Sequence, residues 1–445
     1  MKKSAFRRAA VLLLMLLLTA TTAWAEITGS GTQQDPYIIH NAGDWNTAGQ
    51  DSKYYYNDGT HVYVELAADI DFSGTTFRRF GQNPHYTTPS SCYIHFDGKG
   101  HTIRNISMNQ GSNNFAAPFG DLTTGSTISN LTVASSSFTA YKWVAGITCK
   151  NEGTITNCHV ESTVTLTANN IYSEYCGGIA AQNGGTNIGT ITNCTVGAKF
   201  VLRNGVNQQS YGGIVGYNYG ASPVSGCLCY STDVTSDLNF FKILIGRSYN
   251  NGDVVTNNYY RPVGNYGHGA PEATTTHVRA VSGIPSGVTS PQLRVSHGGY
   301  GYFAANTTIT LTAPAHKIFT NDFSASGTGS SYTLSSDKTT ATVTIATSDV
   351  TVNATVIFGP HFIENSDGSY TIKNANGWNV FCDLLEENAK GYFTGKTVKL
   401  DDNISVTRMA GTSSKPFTGT NSINHFLRMI DTITPITPII ANATT

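Results

Sequence analysis

Charge is scarce in this chain. Asp, Glu, Lys and Arg together make up 12% of 445 residues, and the formal net charge is −1. So few cations cannot neutralise a run of phosphates, so no nucleic-acid partner is expected. Long runs of Ala, Leu, Glu and Lys are also missing, which argues against a helical bundle. No H-E-x-x-H, G-x-S-x-G, Walker loop, Rossmann fingerprint or nonapeptide calcium repeat occurs, so the sequence calls for no metal and no cofactor. What is abundant instead is Gly (45), Tyr (23), Ser, Thr and Asn, a composition suited to short strands joined by tight turns.

The one long hydrophobic run is at the start. Met1–Ala25 has a basic head (Lys2, Lys3, Arg7, Arg8), an apolar core from Ala9 to Leu18 and an Ala23-Trp24-Ala25 cleavage signal. The run falls short of the roughly 17–25 apolar residues a spanning helix needs. An exported chain is expected, starting at Glu26, at the cell surface or outside it, with no transmembrane segment once the signal is cut. Eight cysteines in such a chain invite a disulfide reading. Cys158, Cys194 and Cys227, however, recur at one repeat position where a small buried hydrophobe fits, so free thiols are expected there. Cys227 and Cys229 read as a strand pair facing opposite ways. Cys92, Cys149, Cys176 and Cys382 are left open.

One short unit recurs: AGITCKNEGTITNC at Ala145–Cys158, GGIAAQNGGTNIGTITNC at Gly177–Cys194 and YGGIVGYNYGASPVSGC at Tyr211–Cys227. Weaker copies lie at Ala117–Leu131 and Ile243–Asn258. Ile103, Ile128, Ile155, Ile191, Val224 and Val255 set a common register, 25 to 36 residues apart, which implies six coils. Units this small bury a core only by stacking. Two or three short strands per unit, with no helical pattern, predict an all-β fold: a right-handed parallel β-helix with one repeat per coil. Asn105, Asn130, Asn157, Asn193 and Asn257 then share a turn position, with Gly226 standing in once. Asn tolerates the left-handed backbone and its amide can bond the next coil, which predicts a structural Asn ladder. The turn also resets alternation, so Ile155, Cys158 and Val160 are expected inside, with Thr156 and His159 outside.

The β-helix domain is placed at 26–261, after the 1–25 signal peptide, and 262–291 reads as a linker or cap. At 292–358 the pattern changes to alternating β-branched strands, Thr308–Thr312, Ser331–Leu334, Ala341–Ile345 and Val350–Ile357, a small separate β module. The chain then restarts: YTIKNANGWN at Tyr370–Asn379 matches YIIHNAGDWN at Tyr37–Asn46 without a gap. This gives an incomplete second β-helix start at 359–420. Asn421–Thr445 carries neither glycine nor repeat. It is expected to be a poorly ordered, non-repeat tail, as a truncated or frame-shifted reading would leave.

On Gly212–Asn218 (GGIVGYN), Gly177–Ala180 (GGIA), the two GTITNC strings, GSGTQQDPYIIHNAGDW, LAADIDFSG and HFDGKGHTI, the chain resembles the GLUG-motif proteins, many of them exported surface proteins of Bacteroides type. The match runs from Gly29 to about Tyr260 and again over Ser369–Thr420. The resemblance implies a β-helical stalk in adhesin-like proteins or beside surface enzymes, and brings no catalytic residues. Thr310–Ala313 (TLTA) and Asp349–Ala354 (DVTVNA) resemble, more loosely, small bacterial β repeats, although the Trp usual between them is absent.

Two functions compete. The first is an exported, non-enzymatic scaffold of adhesin type that presents a binding surface to a glycan or to a surface protein of a host or neighbouring cell. Tyr217, Tyr219, Phe240 and Phe241 are its candidate contact residues, against a plain reading as turn surface and strand starts. The second is a polysaccharide lyase or glycosidase on a β-helix, which needs carboxylates clustered on neighbouring coils. Aligning the repeats puts Asp121 with Cys149, Ala181 and Gly216, and Glu152 with Gly184 and Tyr219. No two acids stack, so no catalytic residue is assigned. Asp69-Ile70-Asp71 reads as part of a turn or cap rather than a calcium site.

Overall fold

In the computed structural model the described residues are 27–429 apart from 57–59, 82–90, 111–114, 170–174, 203–209, 237–240, 250–253, 268, 270–273, 389–391, 409, 411–419 and 423–426. The signal segment and Phe240 therefore lie outside them. The chain divides into two compact units, Met1–Val278 and Arg279–Thr445.

The first unit is a parallel β-helix. One coil runs through five short strands, Thr127–Ser129, Thr132–Ala134, Ser137–Ala140, Trp143–Ala145 and Thr148–Asn151, and the next coil starts at Thr154. Each strand pairs in parallel with its counterpart one coil on, so five sheets run along the axis. On the first face Phe96, Ile128, Ile155, Ile191, Val224 and Val255 fall in one register. All six are buried. This face holds eight strands rather than six, because Tyr37–Ile39 and Val62–Leu66 are rungs of the same sheet. Ile103 is not part of this column. It pairs with Ile70 and Val133 on the second face, and Phe96 takes the expected place.

That correction moves Asn105. Asn130, Asn157, Asn193 and Asn257 sit at one corner with φ between 51° and 54°, and Gly226 takes the same corner at 66°. The Nδ2 of Asn157 donates to Asn130 Oδ1 at 2.7 Å, and Asn130 Nδ2 donates to Asp97 Oδ1 at 2.9 Å. At Gly226 a Cβ would lie 2.3 Å from Asn193 Oδ1, so glycine leaves that amide its space. Asn105 turns the following corner, level with Ser135, and donates to Asp71 and Ser73. The Asp69–Asp71 pair serves these corners: Asp69 accepts from the Thr102 amide, and Asp71 accepts from Arg104 as well. Four donors on Asp71 hold its carboxyl well below the usual range, with Asn105 the strongest.

Inward positions repeat like on like. Leu131, Cys158, Cys194, Cys227 and Asn258 form one column, linked by backbone bonds from each coil to the next. Ile155, Cys158 and Val160 are buried while Thr156 and His159 are partly exposed, because a left-handed Asn resets the alternation. Cys227 and Cys229 do not face opposite ways either: residues two apart lie on one side of an extended chain, and both are fully buried. All eight cysteines are free and buried. Burial pushes the thiols of Cys92 and Cys149 up to about 12 and those of Cys194 and Cys227 well above the ordinary thiol value.

The polar stretch after Ile39 is a helix, α1 (Ala42–Gln50), which the turn-rich sequence had hidden. Its cap is Asn41, whose Oδ1 accepts from the Gly43 and Asp44 amides. Trp45 is fully buried among Phe72, Phe77, Phe80, Phe96 and Phe119 and donates its indole N–H to Arg78 O at 2.8 Å. At the other end, Thr275–His277 pairs with Asn258–Tyr260, so part of the expected linker is one more rung.

The second unit contains two apolar clusters. One holds Thr307–Thr312, Ser331–Leu334 and Thr340–Ile345 as an antiparallel sheet, with Ile309, Leu311, Val343 and Ile345 buried. The expected strand Val350–Ile357 is two, Val350–Asn353 and Val356–Phe358. The other cluster repeats the opening of the chain. Asn374 caps α2 (Ala375–Glu387), Tyr370 pairs with Val398 as Tyr37 pairs with Val64, and Trp378 donates to Arg408 O. The tail expected at Asn421–Thr445 begins within this repeat: Thr420–Ser422 pairs with Thr397–Lys399, and Leu427–Met429 with Ile404–Val406, while residues 430–445 lie outside the described residues.

The sequence did not suggest a second, buried Asn ladder. Asn151 Nδ2 donates to Asn183 Oδ1 at 2.7 Å, Asn183 Nδ2 to Asn218 Oδ1 at 2.8 Å, and Asn218 Nδ2 to Ser222 O at 3.0 Å. All three residues are fully buried. Replacing the middle member, Asn183→Ala, orphans a group on each neighbour and should cost about 2–3 kcal/mol in urea unfolding. Gln182→Ala, on the outer side of the same strand, should cost under about 1 kcal/mol. Equal losses for the two would show that the ladder adds nothing. A thiol reagent such as DTNB should titrate none of the eight cysteines in the native chain and all eight in guanidinium.

Candidate functional site

Two outward columns run along the fifth face and the corner that follows it. In the first, Asp121, Lys150, Gln182, Tyr217 and Arg247 are in register on successive coils. The repeat alignment had set Asp121 level with Cys149. Two residues separate Ala116 from Phe119, whereas three separate its partner Val144 from Thr148, and this shorter corner produces a one-residue slip. In the second column, two residues further on, Glu152, Gly184, Tyr219 and Tyr249 follow one another, as the backbone bonds from Glu152 to Leu122, Gly184 to Asn151, Tyr219 to Asn183 and Tyr249 to Asn218 require.

Aromatic rings gather where these columns run. Phe115 meets Trp143 edge-on at 5.2 Å, and Trp143 lies 5.4 Å from Tyr175. Tyr175 stacks on Tyr217 at 5.0 Å and 12°, and Tyr219 stacks on Tyr249 at 5.0 Å and 6°. Tyr217 and Tyr219 join the two stacks at 6.0 Å, and the Arg247 guanidinium lies 6.0 Å over the Tyr217 ring. A small apolar cluster of Phe115, Ala117, Ala145, Cys149 and Ala181 underlies the strip at Trp143 and Tyr175. Tyr219 is 37% exposed and Tyr249 49%, so the far end of the strip meets solvent. A run of rings along one corner, anchored below and open at one end, can lie against the C–H face of a sugar or the apolar part of a protein.

The structure thus brings Tyr217 and Tyr219 together and separates Phe241 from them. Phe241 is fully buried, pairs with Tyr211 across coils and packs on Phe200 and Tyr266. It is a core residue, as its place at the start of an inward strand dictates. Trp143, Tyr175, Tyr249 and Arg247 complete the strip. The signal for them was present, since each occupies a matching repeat position, but the slip at Asp121 hid the column.

The other end of the corner is charged. Lys150 Nζ binds Glu152 Oε1 at 2.7 Å, and Glu152 also accepts from the Thr186 amide and Asn187 Nδ2. Asp121 Oδ1 is buried with no hydrogen-bond partner, and nearby Arg79 donates to Phe115 O. Burial pushes the Asp121 carboxyl up to about 7, opposed by Lys150 and Arg79. A carboxyl that titrates near neutrality beside a second acid is the best footing the enzymatic reading has. Glu152, however, is fully engaged by Lys150 and the Thr186–Asn187 turn. Among the described residues no group of three His, Cys, Asp or Glu side chains could hold a metal, and no helix is long and apolar enough to cross a membrane.

No family model matches the chain. Over 157 residues it is 29% identical to halomucin of Haloquadratum walsbyi, a stretch that makes up 34% of this chain and 2% of halomucin. The chain thus spans a small fraction of that protein's length. Among solved structures it is similar to a Bacteroides ovatus protein provisionally named an immunoglobulin A1 protease, with 23% identity and a TM-score of 0.42 over 56% of this chain and 75% of the other. Likeness at that level carries no argument about activity.

The raised Asp121 carboxyl has a definite pH consequence. Its folded value lies above the unfolded 3.8, so folding takes up a proton. Its contribution to stability is therefore largest at low pH, falls as pH rises from about 4 to about 7, and is flat above. Asp121→Asn should raise Tm at pH 8 while leaving Tm at pH 4 nearly unchanged. A variant as stable as the parent at pH 8 would show that this carboxyl is not held in its neutral form.

Proposed function

We propose that this chain is an exported, non-enzymatic scaffold of adhesin type and that the aromatic strip is its contact surface. The observation that carries this reading is the exposure of Tyr219 and Tyr249 at the end of an otherwise packed ring stack. Buried rings stabilise a fold, whereas rings left in water on a rigid corner suit a partner that covers them. The cleavable segment Met1–Ala25 and the resemblance of the repeats to GLUG-motif surface proteins support export and display. The scaffold itself is suited to the task, since coils fixed in register hold outward side chains at regular intervals. A glycan or a protein on another cell surface is the partner class.

The rival, a carbohydrate-active enzyme at Asp121 and Glu152, stands on the raised Asp121 carboxyl. One experiment separates the two. The purified mature chain is screened for binding on a glycan array and for release of reducing ends or unsaturated products from the same polysaccharides. The scaffold reading expects binding without product, and about tenfold weaker binding for Tyr219→Ala with Tyr249→Ala, in line with the energy of one or two ring contacts. Product that disappears in Asp121→Asn would replace it with the enzyme.

A further inference from the structure

We propose that the aromatic strip takes an acidic glycan, a polysaccharide whose sugars carry carboxylates. This deepens the binding reading above and rests on it. Arg247 is exposed and has no ion-pair partner among the described residues, and it shares the surface with Tyr217, Tyr219 and Tyr249. The lysine of the same column, Lys150, is instead neutralised by Glu152. Arg247 stands three coils beyond Lys150, about 14 Å at the spacing of paired strands, which exceeds the screening length of roughly 8–10 Å. The acids of the charged end therefore do not compensate it. Among the described residues the strip runs from a balanced charged patch to an aromatic patch with one cation that no acid pairs.

That combination specifies chemistry. A phenol ring offers its face to the C–H face of a pyranose, and a guanidinium offers a planar fork to a carboxylate. The two columns lie two residues apart, about 6.6 Å along an extended strand, close to the width of one sugar ring with its substituent. A uronic-acid residue against Tyr219 or Tyr249 would bring its carboxylate within reach of Arg247. The amide of Gln182, on the coil before Tyr217, adds a polar neighbour of the kind sugar hydroxyls use.

The test uses the full mature chain and oligomers of galacturonate, alginate and hyaluronan, each with its methyl-ester counterpart, and poly-glutamate as an acid without sugar. At least one acid oligomer should bind about tenfold more tightly than its ester. Arg247→Ala should remove that preference, so that acid and ester bind alike, and Arg247→Lys should restore part of it. Tyr219→Ala should weaken acid and ester alike, and circular dichroism with Tm confirms that each variant folds. Esters that bind as well as acids, with Tyr219→Ala still weakening both, overturn the acidic specificity and leave the binding surface standing. Poly-glutamate binding as tightly as the oligomers overturns the glycan and leaves charge attraction alone. No binding by any of the three acids overturns the acidic-glycan proposal, and no binding by any glycan on the array as well removes glycans from the partner class of the scaffold.

Discussion

Parallel pairing between successive coils governs the first unit. Once Ile128 is opposite Ile155, and Ile155 opposite Ile191, every other position of a coil meets its own equivalent above and below. A residue type that packs well against itself is therefore favoured at each place, and one that does not must be excused locally. Branched aliphatics fill the first face, thiols fill the corner column, and carboxamides fill the buried ladder. Each carboxamide in that ladder both donates and accepts along the axis, so Asn183 satisfies two neighbours with one side chain. Leu122 precedes the ladder and Ser248 follows it at the same position, so it is a local solution confined to the middle coils.

The same rule works on the outside, where it orders a surface rather than a core. Rings placed at one outward position stack because the coils bring them into register, as Tyr219 with Tyr249 shows, whereas Tyr175 on the fourth face reaches across to Tyr217 on the fifth. A stack satisfies its own members, so the interior of the strip is spoken for. Its exposed end is not, and Arg247 stands beside that end without a counter-charge among the described residues. The fold thus turns a packing tendency into a directional surface, charged and balanced at Lys150–Glu152, aromatic and cationic further along.

Much of this was legible in the sequence. The strings GTITNC at Gly153–Cys158 and Gly189–Cys194 disclose the repeat, the left-handed turn at Asn157 and Asn193, and the inward thiol, because each depends on local chemistry alone. What depends on turn length did not show. One residue fewer in the corner before Phe119 shifted Asp121 from Cys149 to Lys150 and masked the column that ends in Arg247. Asn105 has the φ of the ladder members yet turns another corner, since a left-handed Asn marks a corner without saying which. The buried ladder was hidden for a different reason. Asn151 and Asn183 look like ordinary turn residues, and only the neighbouring coil, which a linear reading does not supply, turns them inward.

The helices α1 and α2 were missed because each is short and amphipathic only toward the end of a solenoid. Their role follows from the problem such a fold creates. A stack of parallel coils leaves the last apolar layer and the last row of backbone groups open to water. Trp45 answers the first part: its indole fills the layer bounded by Phe72, Phe80, Phe96 and Phe119, and its N–H is satisfied by Arg78 O, so a large polar-tipped ring is buried at no cost in unmet bonds. Asn41 answers the second by starting the helix just after the first rung, so the chain crosses the open layer with its own amides already paired. Asn374, Trp378 and Arg408 repeat the device with the same bonds in a different core. A strand, an Asn cap and a Trp four residues later thus form a self-contained closing unit. Its two occurrences mark the places where this chain begins to build a helix of strands.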